Sequence, residues 1–188
     1  MIGGDKLRTF ITFDFDLKTK QQIANIQRII KDNSNKGRFK YYNNFHLTLQ
    51  FLGETDLSTV NEIYDQLLKA AKSFSKVKVF LQGIDAFVSG NNIRTIYLKV
   101  HGELEKIKNI AEKVFLITNK FGFKKDNKFI PHVTIAQDVD LNISFDELKE
   151  KVKGIKIDNI VFDKIIIMKS EEIEGKRIYT PLKILYLK

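Results

Sequence analysis

The chain has 188 residues, of which 43% are hydrophobic and 29% are charged, proportions that are typical of a folded globular protein. Thirty-two lysine and arginine residues against 23 aspartate and glutamate residues give a formal charge of +9, which favours an anionic partner such as nucleic acid. The absence of cysteine excludes disulfides, thiolate nucleophiles and cysteine-ligated zinc sites. No segment approaches the about 18 apolar residues of a membrane span, and we expect a monomeric, cytoplasmic protein.

The first half of the sequence predicts strands and helices in alternation. A helix begins after Asp16, which is a suitable N-cap, and a second helix has a possible capping box formed by Thr59 and Glu62. A polar, basic loop over residues 32–44 lies between the first helix and the next strand. Strands are predicted over residues 9–15, 45–52 and 77–88, and helices over residues 17–30 and 56–74.

The second half has the same order of elements. One helix carries an apolar face from Leu104 to Phe115, and a short helix is opened by Ser144 with Glu147 at capping-box spacing. A second basic loop covers residues 121–129, and His101 is expected to be a turn or helix-capping residue. Strands are predicted over residues 93–100, 132–137, 155–168 and 178–187.

The repeated order of strand, helix, strand, helix and strand suggests a duplication. Alternating strands and helices normally indicate a parallel sheet. The polar alternation within these strands and their phenylalanine-rich single faces favour antiparallel or mixed sheets instead. We therefore expect one α+β domain over residues 1–188.

Two of the three histidines lie in the same pattern, His-x-Thr-aliphatic, as HLTL at residues 46–49 and HVTI at residues 132–135. A lone strand histidine is more often structural, but two matching patterns arise by chance about once in a thousand such sequences, or about once in a hundred after a tenfold allowance for choosing the pattern after seeing it. Side chains at i and i+2 of a strand share a face, so each imidazole should lie beside a threonine hydroxyl.

Two imidazoles that face each other across a cleft suit in-line displacement at a phosphodiester. One neutral ring takes a proton from water and the other, protonated, gives a proton to the departing oxygen, each step being worth about 10² to 10⁴ in rate. Threonine hydroxyls can donate to the non-bridging oxygens, where charge gathers in the transition state. This chemistry needs no metal and no cofactor. Basic side chains that precede the two motifs could hold further phosphates, namely Lys36, Arg38, Lys40, Lys124, Lys125 and Lys128.

The sequence resembles the 2H phosphoesterase superfamily and, more narrowly, the LigT-like RNA 2′,3′-cyclic phosphodiesterases. The resemblance rests on NNFHLTLQFLGE at residues 43–54 and PHVTIAQ at residues 131–137, with support from the opening, central and closing strands. It implies a bilobal α+β fold with two duplicated, pseudo-symmetric lobes, each an antiparallel or mixed sheet flanked by helices, and an active-site groove between the lobes. It also implies metal-independent opening of a 2′,3′-cyclic phosphate, on RNA or on a nucleotide, to a 2′-phosphate. The catalytic residues that it implies are His46, Thr48, His132 and Thr134, with His46 as acid and His132 as base.

The sequence departs from this family at two positions that often hold arginine, here Ile130 and Gln137. Another basic side chain must then hold the anion, and the sequence offers no geometry to choose it. We expect phosphate contacts from Arg38, Lys40, Lys128, Gln137, Lys169 and Arg177. Two alternatives remain open, an RNA-binding module with weak or no turnover and a 2′,5′-RNA ligase or phosphodiesterase. Serine hydrolases, P-loop NTPases and HExxH zinc proteases are excluded because their motifs are missing.

Overall fold

A computed structural model describes residues 6–124 and 129–188. The described residues form four α-helices, which are α1 Leu17–Asp32, α2 Leu57–Ala70, α3 Leu104–Thr118 and α4 Phe145–Val152. They also form nine strands, which are β1 Leu7–Asp14, β2 Ser34–Phe39, β3 His46–Thr55, β4 Val77–Ser89, β5 Asn92–Gly102, β6 His132–Leu141, β7 Lys156–Phe162, β8 Lys164–Ile173 and β9 Lys176–Tyr186. None of the helices in these ranges combines the length and the apolar character required to cross a bilayer.

The strands form two separate antiparallel sheets. A four-stranded sheet has the order β3-β1-β8-β9, and a five-stranded sheet has the order β2-β6-β5-β4-β7. All of the pairings between neighbouring strands in these sheets are antiparallel. Helices flank both sheets, so the predicted α+β class with antiparallel sheets is confirmed.

Each sheet draws its strands from both halves of the chain. Helix α1 lies in sequence after β1 of the four-stranded sheet, yet it packs against strands of the five-stranded sheet. Helix α3 follows β5 of the five-stranded sheet and packs against β3 and α2. The amide of Gln27 in α1 donates to the backbone oxygens of Lys40 and Ile135, both at 2.9 Å. The repeated element order therefore does not correspond to one sheet for each half of the sequence.

Of the three predicted helix N-termini, the caps of α1 and α4 are confirmed and the cap of α2 is wrong. Asp16 caps α1 by accepting from the backbone N–H of Thr19 at 2.6 Å, and Ser144 forms the predicted capping box with Glu147. The capping box predicted at Thr59 is wrong, because Asp56 caps α2 and accepts from the backbone N–H of Thr59 at 2.8 Å. Because the carboxylate of Asp56 caps the helix, α2 begins at Leu57, and Thr59 lies inside its first turn.

Two predicted segments also differ from the structure. Part of the predicted basic loop forms β2, an edge strand whose polar residues lack the apolar alternation that would have identified it. The predicted strand over residues 155–168 is divided at Asp163, where the chain passes from the five-stranded sheet to the four-stranded sheet. A continuous run of apolar residues does not show that its two parts pair with different sheets.

His101 belongs to β5, so the expectation of a turn or capping residue is wrong. Its ring stacks on Phe80 with centroids 5.0 Å apart, and its Nε2 lies 3.0 Å from the backbone oxygen of Gln82. β5 ends one residue later at Gly102, where φ is +103° and a Cβ would lie 2.7 Å from the oxygen of Lys78. Only glycine is compatible with that position.

The main apolar core lies between the helices and one face of each sheet. On the four-stranded sheet, Ile11 and Phe13 of β1 are fully buried in this core. A smaller cluster on the same sheet consists of Phe10, Ile166 and Met168, with Tyr179 packed against it. Because Phe10 alternates with Ile11 along β1, this small cluster lies on the sheet face opposite the core.

Candidate active site

His46 and His132 are the first residues of β3 and β6, two strands that contact each other. The Nδ1 of His46 lies 2.7 Å from the backbone oxygen of Asn44, and the Nδ1 of His132 lies 2.7 Å from that of Ile130. A carbonyl oxygen can only accept, so each Nδ1 carries a proton and donates it. In the neutral ring the Nε2 atom is then unprotonated and free to accept.

The oxygen of Asn44 is held in place by the short 3-10 turn Tyr42–Asn44. The side chain of Asn44 is buried and donates from Nδ2 to the backbone oxygen of Arg177 at 2.6 Å. Buried Lys20 donates to the backbone oxygen of Asn43 at 2.9 Å and forms an ion pair with Asp14 at 2.7 Å. These contacts fix the position of the carbonyl that orients His46.

A threonine lies on the same strand face as each histidine. Thr48 Oγ1 is 3.0 Å from His46 Nε2, and since this Nε2 is unprotonated, the hydroxyl donates to it. In β6, Val133 is fully buried in the core, so His132 and Thr134 on either side of it face away from the core. Both threonines are half-buried. We refer to the surface that carries His46, Thr48, His132 and Thr134 as the histidine surface.

Both histidines are held in the neutral form. The pKa of His46 is lowered to about 3, mainly by burial and secondly by the charge of Lys40, while the hydrogen bond to Asn44 opposes these effects. Burial also lowers the pKa of His132, against the hydrogen bond to Ile130, and Lys40 again contributes. A charge on His132 lowers the pKa of His46, so the two rings lie within electrostatic range of each other. The site therefore favours a bound anion, which would offset these positive charges.

One phenylalanine and one tyrosine flank each histidine. The ring of His46 lies 4.9 Å from that of Phe10 and 5.3 Å from that of Tyr179, measured between centroids. The ring of His132 lies 5.2 Å from the rings of both Phe87 and Tyr97. The two members of each aromatic pair also contact each other. Two matched aromatic surroundings therefore hold the imidazoles, and the sequence did not identify them because aromatic residues in strands resemble core residues.

Among the predicted phosphate-binding residues, Lys40 lies at the histidine surface. Its Nζ is 3.3 Å from the hydroxyl of Tyr179 and 5.5 Å from the centre of that ring, which itself contacts His46. Its charge acts on both histidines. Lys40 thus supplies a cation within electrostatic range of both rings.

Arg38 and Gln137 are paired directly across β2 and β6. Their neighbours Phe39 and Ala136 pack with the core, which places Arg38 and Gln137 on the opposite face, that of His132. A guanidinium on β2 therefore stands next to the β6 position where the family often has arginine.

The charge of Arg38 is already engaged by a carboxylate. Its Nε donates to Asp138 at 3.0 Å, and Arg94 from β5 pairs with the same carboxylate at 2.8 Å. No local pattern in the sequence pointed to Arg94, because its proximity to Arg38 depends on how three strands pair.

Two of the remaining predicted phosphate ligands form ion pairs with glutamates, and the third, Lys128, lies outside the described residues. Lys169 forms an ion pair with Glu171 at 2.6 Å, and Arg177 forms one with Glu172 at 3.1 Å. Lys128 and Lys125 lie outside the described residues. Within residues 6–124 and 129–188, no three His, Asp or Glu side chains converge as ligands for a metal ion.

Comparisons with known proteins identify related sequences and folds. The family model described as the 2′-5′ RNA ligase superfamily matches residues 18–171. A Methanocaldococcus jannaschii protein named RNA 2′,3′-cyclic phosphodiesterase is 32% identical over 149 residues, which cover 78% of this chain and 78% of the relative. An Aquifex aeolicus protein of the same name is 27% identical over 186 residues, covering 96% of this chain and 97% of the relative.

Solved structures share the fold. E. coli LigT complexed with 3′-AMP has a TM-score of 0.80 at 21% identity, over 97% of this chain and 99% of that chain. The Thermus thermophilus protein TT0787 has a TM-score of 0.75 at 17% identity, over 96% of this chain and 97% of that chain. At these identities the likeness concerns the fold alone, and it agrees with the two antiparallel sheets flanked by helices.

Proposed function

The chain belongs to the 2′-5′ RNA ligase superfamily, and on that premise we propose that it is a phosphodiesterase that opens 2′,3′-cyclic phosphates. Its substrate would be the cyclic phosphate at the end of an RNA or on a nucleotide, and its product a 2′-phosphate. Relatives named RNA 2′,3′-cyclic phosphodiesterase support this substrate class. The observation that carries the proposal is the matched pair of histidines, each with Nδ1 bound to a backbone carbonyl, which leaves Nε2 as the unprotonated nitrogen that can take part in proton transfer.

The reaction needs one neutral and one protonated imidazole. In the proposed step, Nε2 of His132 takes a proton from water, and the water oxygen forms a bond to phosphorus. The bond between phosphorus and O3′ breaks, and Nε2–H of His46 gives its proton to O3′. Afterwards His132 loses its extra proton to solvent and His46 regains one, so that one water molecule is consumed for each ring opened. This assignment of acid and base is the one that the family resemblance implies.

The threonines and Lys40 would stabilise the negative charge on phosphorus. In the free enzyme the Thr48 hydroxyl donates to Nε2 of His46. When His46 is protonated, that Nε2 can no longer accept, and the Thr48 hydroxyl is free to donate to a non-bridging oxygen. Thr134 stands beside His132 on the other strand, and Lys40 supplies a positive charge near both rings.

The proposal is tested with an oligonucleotide that ends in a 2′,3′-cyclic phosphate, incubated with the purified protein in EDTA and H₂¹⁸O. We expect a 2′-phosphate product that carries one ¹⁸O atom, because the attacking oxygen comes from water. Binding of the oligonucleotide without ring opening at any pH from about 5 to 8 would instead identify an RNA-binding module.

A second candidate activity is the cleavage or formation of 2′,5′ linkages, which the description of the family model favours. Joining a 5′-hydroxyl end to a 2′,3′-cyclic phosphate is ring opening with an alcohol in place of water. The same two proton transfers would serve it. Product analysis with a 2′,5′-linked dinucleotide, and with cyclic-phosphate and 5′-hydroxyl oligonucleotides together, distinguishes the two activities.

A further inference from the structure

Helix α1 carries two polar side chains on the face that it turns toward the core. Lys20 and Gln27 are seven residues apart, so they lie on the same side of the helix. Buried Ile23 and Ile30 lie on that side as well. Lys20 is only 7% exposed, and a lysine is rarely buried unless it is paired. Both polar side chains donate to backbone oxygens at or near the two His-x-Thr-aliphatic patterns.

We propose that Lys20 and Gln27 are positioning residues, which together set how far apart the two histidines stand. The proposal rests on the proposed function, because the two proton transfers need the imidazoles on opposite sides of one phosphorus atom. Lys20 acts through the segment that holds His46, and Gln27 acts through the strand that carries His132. One helix thereby fixes both parts of the histidine surface.

Lys20 holds the turn that comes just before His46. Its Nζ donates to the backbone oxygen of Asn43 at 2.9 Å and pairs with Asp14 at 2.7 Å, and Asp14 is the cross-strand neighbour of His46. The next residue, Asn44, provides the backbone oxygen that accepts the hydrogen bond from Nδ1 of His46 at 2.7 Å. Removal of the Lys20 ammonium would therefore release the carbonyl that orients this ring.

Gln27 holds the second motif at a point where strand pairing leaves it unsupported. In the pairing of β5 with β6 the register shifts after Thr134, and Ile135 has no partner in β5. The amide nitrogen of Gln27 donates to the backbone oxygens of Ile135 and Lys40, both at 2.9 Å, so both of its hydrogens are used. The amide therefore fixes β6 three residues after His132, together with the lysine that lies near both histidines.

The first test uses two substrates that differ in the leaving atom. On the oxygen substrate, Lys20→Met and Gln27→Leu should each lower kcat by about tenfold to hundredfold, the usual effect of a displaced catalytic group. For Lys20→Met the KM should change little, because Lys20 does not contact the substrate. A substrate with sulfur in place of O3′ releases a thiolate, which needs no general acid. On this substrate Lys20→Met should follow the behaviour of His46→Ala, and Gln27→Leu that of His132→Ala.

Controls on the same helix separate position from charge. Gln21→Leu and Lys31→Met replace exposed residues of the same two types and should keep the wild-type kcat. Lys20→Arg keeps the charge and a donor and should retain most of the rate. Loss of the Lys20 charge by itself would raise the pKa of His46 and favour the protonated acid, so a fall in kcat reports the lost contact with Asn43.

The second test does not depend on activity. The chain has three histidines, so the ¹⁵N signals of the ring nitrogens can be assigned with His101→Ala and His132→Ala. In the wild-type protein His46 should be a single tautomer with its proton on Nδ1, whereas Lys20→Met should show both tautomers. The double variant Lys20→Met/Asp14→Asn leaves no unpaired charge, so it provides the same measurement if Lys20→Met does not fold.

Equal losses on the oxygen and sulfur substrates in both variants, or a wild-type kcat in either variant, would overturn the positioning role. A single His46 tautomer after loss of the Lys20 ammonium would overturn it as well. Failure of the wild-type protein to open either substrate would count against the proposed function instead, and the tautomer measurement would still decide whether Lys20 orients His46.

Discussion

The ammonium group of Lys40, the residue that follows β2, lies 3.3 Å from the hydroxyl of Tyr179 in β9. This contact brings a residue attached to the five-stranded sheet against a side chain of the four-stranded sheet. Lys40 thereby bridges the two halves of the histidine surface, and its charge lowers the pKa of both histidines.

We expect Lys40→Met to lower kcat/KM for a 2′,3′-cyclic phosphate by about tenfold to hundredfold, the usual effect of removing a charged hydrogen-bond donor. Loss of the positive charge should also raise the pKa of both histidines, so the pH profile of kcat/KM should move to higher pH. Steady-state kinetics from pH 5 to 8 would measure both effects. Lys31→Met, which removes an exposed lysine from the last turn of α1, controls for net charge. Equal profiles for the two variants would contradict this role.

Replacement of either histidine of the proposed pair should remove one proton transfer. His46→Ala and His132→Ala should each lower kcat by about 10² to 10⁴, with little change in the far-ultraviolet circular dichroism. His101→Ala is the matched control, because the ring of His101 in β5 stacks on Phe80 of β4 and its Nε2 lies 3.0 Å from the backbone oxygen of Gln82, and this variant should keep most of the activity. Activity above half of the wild-type value in either of the first two variants would argue against the proposed pair.

The pH dependence follows from the direction of the histidine pKa shifts. Burial lowers the pKa of both rings below the usual 6.5, so both are mostly neutral in the free enzyme at pH 7. The active form needs one proton on the pair, and its population grows as pH falls toward the higher of the two pKa values. We therefore expect kcat/KM to rise as pH is lowered from 8 to 6. A rate that increases steadily over the same range as pH is raised would contradict the mechanism.

A substrate with sulfur in place of O3′ separates the acid from the base. A thiolate leaves without protonation, so the variant that lacks the general acid should regain much of its activity on this substrate. With His46 as acid, we expect rescue of His46→Ala and none of His132→Ala. The comparison is the ratio of rates on sulfur and oxygen substrates for each variant. Rescue of His132→Ala alone would reverse the assignment.

Local patterns were sufficient to predict that each histidine shares a strand face with a threonine. The His-x-Thr repeat lies within two short strands, and alternation in a strand places each hydroxyl beside its imidazole without knowledge of the partner strand. The N-cap at Asp16 and the capping box at Ser144 are also local, and both are present in the structure.

Properties that depend on strand pairing were not accessible from the sequence. The exchange of strands between sheets, the edge strand β2 and the division at Asp163 all depend on which distant segments form hydrogen bonds. For the same reason the sequence could not show that Lys40, among the candidate phosphate ligands, lies at the histidine surface, or that Arg38 lies across from Gln137. The aromatic neighbours of the histidines come from four different strands, so no spacing within one segment indicated them.

Because each sheet takes strands from both halves of the chain, we expect that neither half folds when it is expressed alone. A single cut anywhere between β4 and β5 leaves each fragment with strands of both sheets, and each sheet loses strands that it needs. Neither fragment would contain a whole sheet together with its covering helices. Half-length pieces expressed alone should therefore aggregate or remain unstructured, and any attempt to recover function from them would depend on reassembly of the two polypeptides.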